Sequence, residues 1–293
     1  MVLVKEVHRQ ILRMSYQDEA SNFVEVLEGL SRVLERDVLP LSQAIDGKGS
    51  GIDAPRKALF KAGLCQMPFP SAYGGMGLPF SIYALAMELT GYADASIAMS
   101  MGIHNTVSEG VNRFGNEIQR KTFVSDLISG GVLAAFSLTE PSSGSDAKTM
   151  KTRATRSGKD YLLQGSKTFI TNAGEADLYL VFASTSGGPS AFIVKNHTEG
   201  ISFGEDMPKL GMRGSRTSEV IFRDCRVDAA NMVGEEGKGL EYVKQMLNSS
   251  RIVMAAICVG IAQHAYDLAI RYSVDREISG KAVSDFQITK EKI

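Results

Sequence analysis

The sequence contains no tryptophan, few cysteines and almost no excess of charge of either sign. Its three cysteines in 293 residues, Cys65, Cys225 and Cys258, are far apart, and none lies in a CxxC motif. This pattern argues against a disulfide framework and a cysteine-bound metal, and it favours a reducing compartment, with the cytoplasm as the default. The formal net charge of −1 argues against the basic field that draws in nucleic acid.

Long hydrophobic runs are absent as well. The longest, "IVMAAICVGIA" (Ile252–Ala262), has eleven residues, whereas a membrane span needs about 20, so no membrane span is predicted. The first fourteen residues, "MVLVKEVHRQILRM", carry three lysines and arginines against one acidic residue. Such a start fits a leading helix or a transit signal, and its shortness and lack of serine favour the helix.

A dinucleotide-binding Rossmann unit is also excluded by its missing signature. No G-x-G-x-x-G motif follows a strand-like segment and opens a helix. The segment "GEEGKG" (Gly234–Gly239) is rich in glycine but has the wrong spacing and context.

The pattern along the chain changes twice. Helical spacing of apolar residues occurs in the segments 17–45, 52–65, 79–101, 105–130 and 240–274, with a further helix near Val283. Between them, short β-type runs alternate with Gly, Ser and Asn, and "RSGKD" (156–160) has the form of a hairpin turn. The order predicts an α+β fold: an N-terminal helical domain (1–130), a middle small β-barrel or sandwich (131–238) and the start of an incomplete C-terminal helical bundle (239–293). The run Ile252–Ala262 is apolar on every face, which predicts a helix buried all round.

The segment "FSLTEPSSGSD" (136–146) permits two interpretations. Pro141 ends a strand-like stretch, and the serines and Gly144 that follow offer hydroxyls and closely spaced backbone N–H groups. They form either a polar surface turn or a concavity for an anionic group or cofactor.

Four segments together resemble the acyl-CoA dehydrogenase family, and the resemblance extends from about residue 17 to the end. Besides "FSLTEPSSGSD", they are "PSAYGGMGL" (70–78), "GSKTFITNAG" (165–174) and "KLGMRGSRTSEVIFRDCRV" (209–227), in the family's order. The resemblance implies FAD as cofactor, an acyl-CoA substrate, a homo-oligomer and electron-transferring flavoprotein as electron acceptor.

The resemblance assigns cofactor and substrate positions residue by residue. The implied cofactor contacts are Phe136, Leu138, Thr139, Ser145, Phe169, Ile170, Thr171, Arg276 and Gln287. Phe169 stands where relatives commonly have Trp, and it retains an aromatic face for the flavin. The segment with Arg276 and Gln287 resembles one that reaches the flavin of a neighbouring subunit, with Arg276 pairing the pyrophosphate. Ser279 departs from this pattern, since relatives usually have an aromatic residue there.

The implied substrate contacts are Ser145, Asn248, Ser249, Ser250 and Arg251. Arg251 is also compatible with a cation on the helix surface, although it adjoins an apolar stretch where an unpaired charge is costly. Some relatives carry their catalytic glutamate at the position of Ser250, so that base is absent here. No metal site is indicated.

The implied reaction is α,β-dehydrogenation of an acyl-CoA thioester, which requires a base for the weakly acidic α-proton. In other relatives the base follows two further bundle helices, and this sequence stops before them, so we expect a C-terminally truncated enzyme whose catalytic residue is unknown. Glu140 is interpreted as structural. The alternatives are a non-catalytic flavin- or acyl-CoA-binding remnant, and a flavin oxidase or monooxygenase of the same fold.

Overall fold

The computed structural model describes residues 3–293 and confirms the order of helices, strands and helices. The α-helices are α1 (Glu6–Tyr16), α2 (Ala20–Val33), α3 (Ser42–Lys48), α4 (Asp53–Lys61), α5 (Phe80–Ala93), α6 (Ala95–Phe114), α7 (Glu117–Gln119), α8 (Ser125–Ser129), α9 (Gly239–Asp275) and α10 (Gln287–Lys292). The strands are β1 (Ala134–Ser137), β2 (Arg153–Ser157), β3 (Asp160–Thr171), β4 (Leu178–Thr185), β5 (Gly188–Lys195), β6 (Ile201–Phe203), β7 (Thr217–Asp228), β8 (Met232–Val233), β9 (Glu277–Ile278) and β10 (Lys281–Ala282). The domain boundaries at 130/131 and 238/239 stay predictions.

The N-terminal helices divide at a different place from the predicted one. The sequence predicts a helix over 79–101 and one or two more over 105–130, but the break lies at Asp94, between α5 and α6. The carboxylate of Asp94 accepts a hydrogen bond from Ile97 N at 2.8 Å and caps α6. The prediction was wrong because the apolar periodicity continues through this cap.

The strands β1 to β8 form one mixed sheet with a separate core on each face. Its order is β6-β7-β3-β2-β4-β5-β8, and β1 pairs with β4 in parallel. Alternate residues of β4 point to opposite faces. Leu178, Leu180 and Phe182 join a cluster with residues of α6, α8 and α9, whereas Tyr179 and Val181 join the larger core. The predicted hairpin at "RSGKD" is confirmed as the β2–β3 connection.

Helix α9 matches its predicted bounds to within one residue, but its burial differs from the prediction. Gly260 packs directly on the backbone of α5, and a Cβ there would lie 2.0 Å from Glu88 O. Val253 and Ile257 face α6 and are buried, whereas Ile252 and Val259 are each 53% exposed. The prediction of a helix buried all round is therefore wrong for the described residues, because α5 and α6 cover one face only. By length and composition alone α9 could cross a membrane, although core helices of soluble proteins meet the same criterion.

Candidate active site

The loop after β1 makes a tight turn. The backbones of Glu140 and Ser143 exchange hydrogen bonds of 2.8 and 3.2 Å, which places Pro141 at the tip of the turn. Ser143 Oγ donates to Asp146 O at 2.7 Å, so this hydroxyl serves the loop itself. Ser145 is exposed and stays a predicted contact.

A buried ion pair fixes the base of this loop. Lys167 Nζ donates to Glu140 Oε1 at 2.8 Å and to Leu138 O at 3.0 Å. Glu140 also accepts hydrogen bonds from the backbone N–H groups of Lys151 and Thr152. Burial by itself would raise the pKa of Glu140, but these hydrogen bonds, led by the one from Lys167, hold that pKa below its ordinary value. A saturated, buried carboxylate of this kind supports the structural interpretation of Glu140.

Strand β3 bulges beside the loop and turns an aromatic ring outward. Its register with β7 shifts between Lys167 and Ile170, and Phe169 within the shift has a φ of 57°. That conformation is strained for a bulky residue, and such strain clusters at ligand sites. The ring of Phe169 is 67% exposed, whereas the side chain of Ile170 is buried in the core. Thr168 N donates to Thr139 O at 2.9 Å and joins the bulge to the loop.

Five of the predicted cofactor residues lie on β1, on β3 or in the loop after β1, and we call this region the β1–β3 ledge: Phe136, Leu138, Thr139, Phe169 and Thr171. All but the exposed Phe169 are half-buried, and β1 and β3 are in contact. Among the described residues, the hydroxyls of Thr139 and Thr171 have no hydrogen-bond partner. Free hydroxyls beside an exposed ring fit the polar edge and flat face of a flavin.

Two side chains that the sequence analysis did not single out hold β1 in place. His104 on α6 accepts a hydrogen bond at Nδ1 from Ala134 N (3.0 Å), and its Nε2–H donates to Leu127 O (2.9 Å). Asn172 Nδ2 donates to Ala134 O at 3.0 Å and to Ser100 O at 3.1 Å. Burial lowers the pKa of His104 to about 4, so the ring stays neutral at pH 7.

A cavity of about 270 Å³ lies between α5, α6, α9 and the segment before α5. It is lined by Pro68, Phe69, Phe80, Tyr83, Gly102, Asn105, Thr106, Glu109, Asn112, Arg113, Ser249, Ser250 and Val253. We call it the α6–α9 cavity. Phe69 lines the cavity and belongs to the apolar cluster against which Phe136 and Leu138 of the ledge pack, so the cavity and the ledge share this cluster.

The structure brings only part of the predicted substrate set to this cavity. Ser249 and Ser250 line it. Asn248 and Arg251 lie on the exposed face of α9, where Arg251 donates to Asn248 Oδ1 at 3.1 Å. Among the described residues, Arg251 is therefore a cation on the surface of α9 and does not line the cavity.

Sequence reasoning missed the carboxylate of this cavity. Glu109 accepts a hydrogen bond from Ser249 Oγ at 2.9 Å and lies 3.6 Å from the guanidinium of Arg113. Burial raises the pKa of Glu109, although the hydrogen bond from Ser249 and the charge of Arg113 oppose the shift. Asn105, Glu109 and Arg113 are spaced four residues apart and so share one face of α6. That spacing was the available signal.

Arg276 and Gln287 lie far from the ledge of their own chain. Both are exposed and follow the C-terminal end of α9. From Leu247 to Arg276 the helix rises about 44 Å at about 1.5 Å per residue. The side chain of Arg276 therefore does not reach the ledge within one copy of the chain. The segment that contains Gln287 packs along the C-terminal half of α9, where Tyr266 Oη donates to Ile293 O.

Comparison with known proteins gives one consistent family. The acyl-CoA dehydrogenase N-terminal, middle and C-terminal domain models match residues 23–131, 135–225 and 237–293. A Bacillus subtilis acyl-CoA dehydrogenase is 40% identical over 78% of this chain and 62% of the relative. The human mitochondrial short-chain specific acyl-CoA dehydrogenase is 36% identical over 88% of this chain and 64% of the relative. The acryloyl-CoA reductase (NADH) of Anaerotignum propionicum is 34% identical over 98% and 74%, respectively. The chain thus spans less than two thirds of the length of the first two relatives.

Solved structures agree with this result. Butyryl-CoA dehydrogenase from Megasphaera elsdenii has a TM-score of 0.89 and 35% identity, covering 92% of this chain and 73% of its own. A Mycobacterium smegmatis glutaryl-CoA dehydrogenase in complex with FADH2 has a TM-score of 0.90 and 27% identity, covering 99% and 74%. A chain from a structure of the electron transferring flavoprotein of Acidaminococcus fermentans has a TM-score of 0.90 and 34% identity, covering 92% and 73%.

Proposed function

The chain belongs to the acyl-CoA dehydrogenase family, and we propose that it binds FAD on the β1–β3 ledge for the α,β-dehydrogenation of an acyl-CoA thioester. The observation that carries the proposal is the bulge in β3, where Phe169 is both strained and 67% exposed. Thr171 lies two residues further along the strand, and Thr139 O accepts a hydrogen bond from Thr168 N. Strain of this kind persists only where the surrounding structure enforces it, and a flat ligand gives it a purpose.

The residues of the ledge have separate parts in holding the cofactor. Phe169 would pack on the ring system, while the hydroxyls of Thr139 and Thr171 would bond its polar edge. When bound, FAD supplies the acceptor for the hydride that leaves the β-carbon of the acyl group. Glu140 and Lys167 hold the base of the loop in position, and Ser145 would contact the cofactor and the thioester. The side chain of Ile170 is buried in the core, so this predicted residue would contact the cofactor through its backbone alone.

The substrate would lie in the α6–α9 cavity, against Ser249 and Ser250. Removal of the α-proton needs a base that is placed within hydrogen-bond range. Ser250 offers a hydroxyl in place of a carboxylate, so we propose that the base lies in the part of the relatives' length that this chain does not span. The likeness to a chain from a structure of an electron transferring flavoprotein supports electron-transferring flavoprotein as the electron acceptor.

A cofactor-release experiment tests the FAD assignment. The purified protein should be yellow and should release FAD when it is denatured. The double variant Thr139→Val with Thr171→Val should bind FAD about tenfold more weakly, since two hydrogen bonds of about 0.5–1.5 kcal/mol each are lost. Thr122→Val, on the surface of the N-terminal helices, is the matched control and should keep the parent affinity. A colourless protein that binds NADH tightly would overturn the assignment.

A further inference from the structure

The α6–α9 cavity is lined by two buried polar atoms that lack a full set of hydrogen bonds among residues 3–293. Tyr83 is 2% exposed and Asn105 is 4% exposed, and both line the cavity. Among the described residues, neither Tyr83 Oη nor Asn105 Oδ1 has a partner at ordinary hydrogen-bond distance. Burial raises the pKa of Tyr83, and the nearby side chain of Asn105 opposes the shift, so the two groups are neighbours that do not satisfy each other fully. An unpaired buried polar group costs about 1–3 kcal/mol. Two such groups in one cavity offer hydrogen-bonding capacity to a group bound there.

The neighbouring polar groups show that this is not a general lack of partners. Thr106 Oγ1 donates to Gly102 O at 2.9 Å, and Ser249 Oγ donates to Glu109 at 2.9 Å. The unsatisfied capacity is therefore mainly for accepting hydrogen bonds, at Asn105 Oδ1 and at the carboxylate of Glu109. The phenol of Tyr83 accepts or donates.

The rest of the lining fits a carbon chain. Phe69, Phe80 and Val253 supply apolar surface around the polar groups. The volume of about 270 Å³ far exceeds the roughly 10–15 Å³ that one water molecule requires. An occupant with an apolar stem and a polar end matches this lining.

We propose that the cavity selects acyl-CoA thioesters whose distal end carries a hydrogen-bond donor, a hydroxyl or an amino group. This rests on the proposed function, since it takes the cavity as the acyl site. Tyr83, Asn105 and Glu109 receive the donor, and the apolar wall holds the methylene chain. A site built to hydrogen-bond a substrate group discriminates strongly against the analogue that lacks it, because its own buried polar groups then stay unpaired.

The test compares two thioesters of equal length, 5-hydroxypentanoyl-CoA and hexanoyl-CoA, in which a hydroxyl replaces the terminal methyl group. Binding to the FAD-loaded protein is measured by titration calorimetry, which needs no turnover. The hydroxylated thioester should bind about tenfold more tightly, the effect of one or two net hydrogen bonds. Equal affinities, or a preference for hexanoyl-CoA, would overturn the proposal and would mean that water pairs with Tyr83 Oη and Asn105 Oδ1.

Variants locate the effect. Tyr83→Phe and Asn105→Leu should each lower the preference several-fold, and the pair should abolish it while hexanoyl-CoA affinity is kept or raised. The matched control Asn196→Leu lies on an exposed turn and should leave the preference unchanged. Tyr83→Phe removes a single oxygen atom, so it carries the test if Asn105→Leu folds poorly. A preference that survives both cavity variants would contradict the assignment.

The same titrations distinguish a failure of this proposal from a failure of the proposed function. If neither thioester nor CoA itself binds, acyl-CoA is not the ligand and the proposed function fails. If both thioesters bind equally well, acyl-CoA binding stands and only the selection of a polar end is refuted.

Discussion

A single imidazole joins the helical domain to the first strand of the sheet, and both of its nitrogens are used. His104 Nδ1 accepts from Ala134 N, so the folded state has no room for a proton there. Its pKa falls from an ordinary 6.5 to about 4 because the ring is buried. The unfolded chain takes up this proton below pH 6.5, whereas the folded chain does so only near pH 4. The stabilising effect of the neutral ring is therefore complete above pH 6.5 and is lost as the pH falls from there.

We expect this histidine to weaken the fold by about 2 kcal/mol between pH 7.5 and pH 5. Urea unfolding at a series of pH values measures the slope. His104→Gln should flatten the slope while lowering stability at pH 7.5. His197→Gln changes an exposed histidine and should leave the slope as it is. A slope that His104→Gln does not alter would assign the acid sensitivity elsewhere.

The buried pair Glu140–Lys167 predicts a different mutational pattern. Glu140→Gln leaves the ammonium of Lys167 without its counter-charge in a site where the lysine is fully buried. Breaking such a pair costs about 3–5 kcal/mol, whereas replacing both partners is much less costly. The double variant Glu140→Gln with Lys167→Met should therefore recover most of the stability lost by the single variant, as measured by urea unfolding. Equal losses for the single and double variants would mean that the ion pair has no energetic role.

At the scale of the element, two substitutions at the bulge of β3 distinguish backbone strain at Phe169 from the contact of its ring with the cofactor. Phe169→Ala and Phe169→Gly both remove the exposed ring, but only glycine relieves the positive φ. The glycine variant should be about 1 kcal/mol more stable than the alanine variant, and both should bind FAD more weakly than the parent. Thermal unfolding and FAD titration measure the two effects separately.

The same two substitutions at an exposed residue of α9 serve as the control for the alanine and glycine variants of Phe169. Tyr272 is 66% exposed within the helix, so Tyr272→Ala should be the more stable of the pair Tyr272→Ala and Tyr272→Gly by about 1 kcal/mol. The same order at Phe169 would show that the bulge stores no strain.

Elements with a strong local signal could be predicted from the sequence. The hairpin at "RSGKD" and the bounds of α9 depend on turn residues and on apolar period, and both are confirmed. The break at Asp94 was missed because one capping side chain outweighs a continuing apolar pattern. The exposed face of α9 was missed because burial depends on which elements pack against a helix, and composition does not contain that information.

The candidate site also contains residues that could be predicted from the sequence and residues that could not. Ser249 and Ser250 could be carried over by resemblance, and they do line the cavity. Asn105 and Glu109 share one face of α6, but Tyr83 lies on α5, and the spacing of residues along each helix does not show how the two helices pack. The bulge at Phe169 is a shift of register between β3 and β7, and the sequence "KTFIT" alone does not show how the two strands pair.

At the scale of the whole molecule, the length of α9 bears on assembly. Arg276 lies about 44 Å along the helix from Leu247, which packs against the same apolar cluster as Phe136 and Leu138 of the ledge. This distance exceeds the reach of a side chain. If Arg276 pairs the cofactor's pyrophosphate, it does so on a second copy of the chain. We expect a homo-oligomer in which Arg276→Ala weakens FAD retention, measured by gel filtration and FAD titration. Arg32→Ala, an exposed arginine on α2, is the control and should retain FAD fully. A monomer that holds FAD tightly would refute the inter-subunit contact.

The last prediction concerns catalysis by the 293 residues alone. Positioned general bases contribute roughly 10²–10⁴-fold to proton transfer, and Ser250 does not supply one. The carboxylate that lines the cavity, Glu109, is engaged by Ser249 and Arg113. We therefore expect no flavin bleaching at an enzymatic rate when the FAD-loaded chain is mixed anaerobically with a panel of acyl-CoA thioesters.

The outcome of that assay also decides between the alternatives. Rapid bleaching would contradict the missing base, and Glu109→Gln would then be the first variant to examine, ahead of the saturated Glu140. An inert chain that becomes active when the family's remaining length is supplied supports a dehydrogenase whose base lies in that length. Chains that bind FAD and acyl-CoA but stay inert in both forms favour a non-catalytic binding protein. Reduced flavin that reacts rapidly with oxygen identifies an oxidase or monooxygenase instead. The exposed apolar side chains of α9, such as Ile252 and Val259, favour a dehydrogenase that is inert until the family's remaining length is supplied. A further layer of helices would bury these side chains, which stabilises the fold by about 1.5–3 kcal/mol for each.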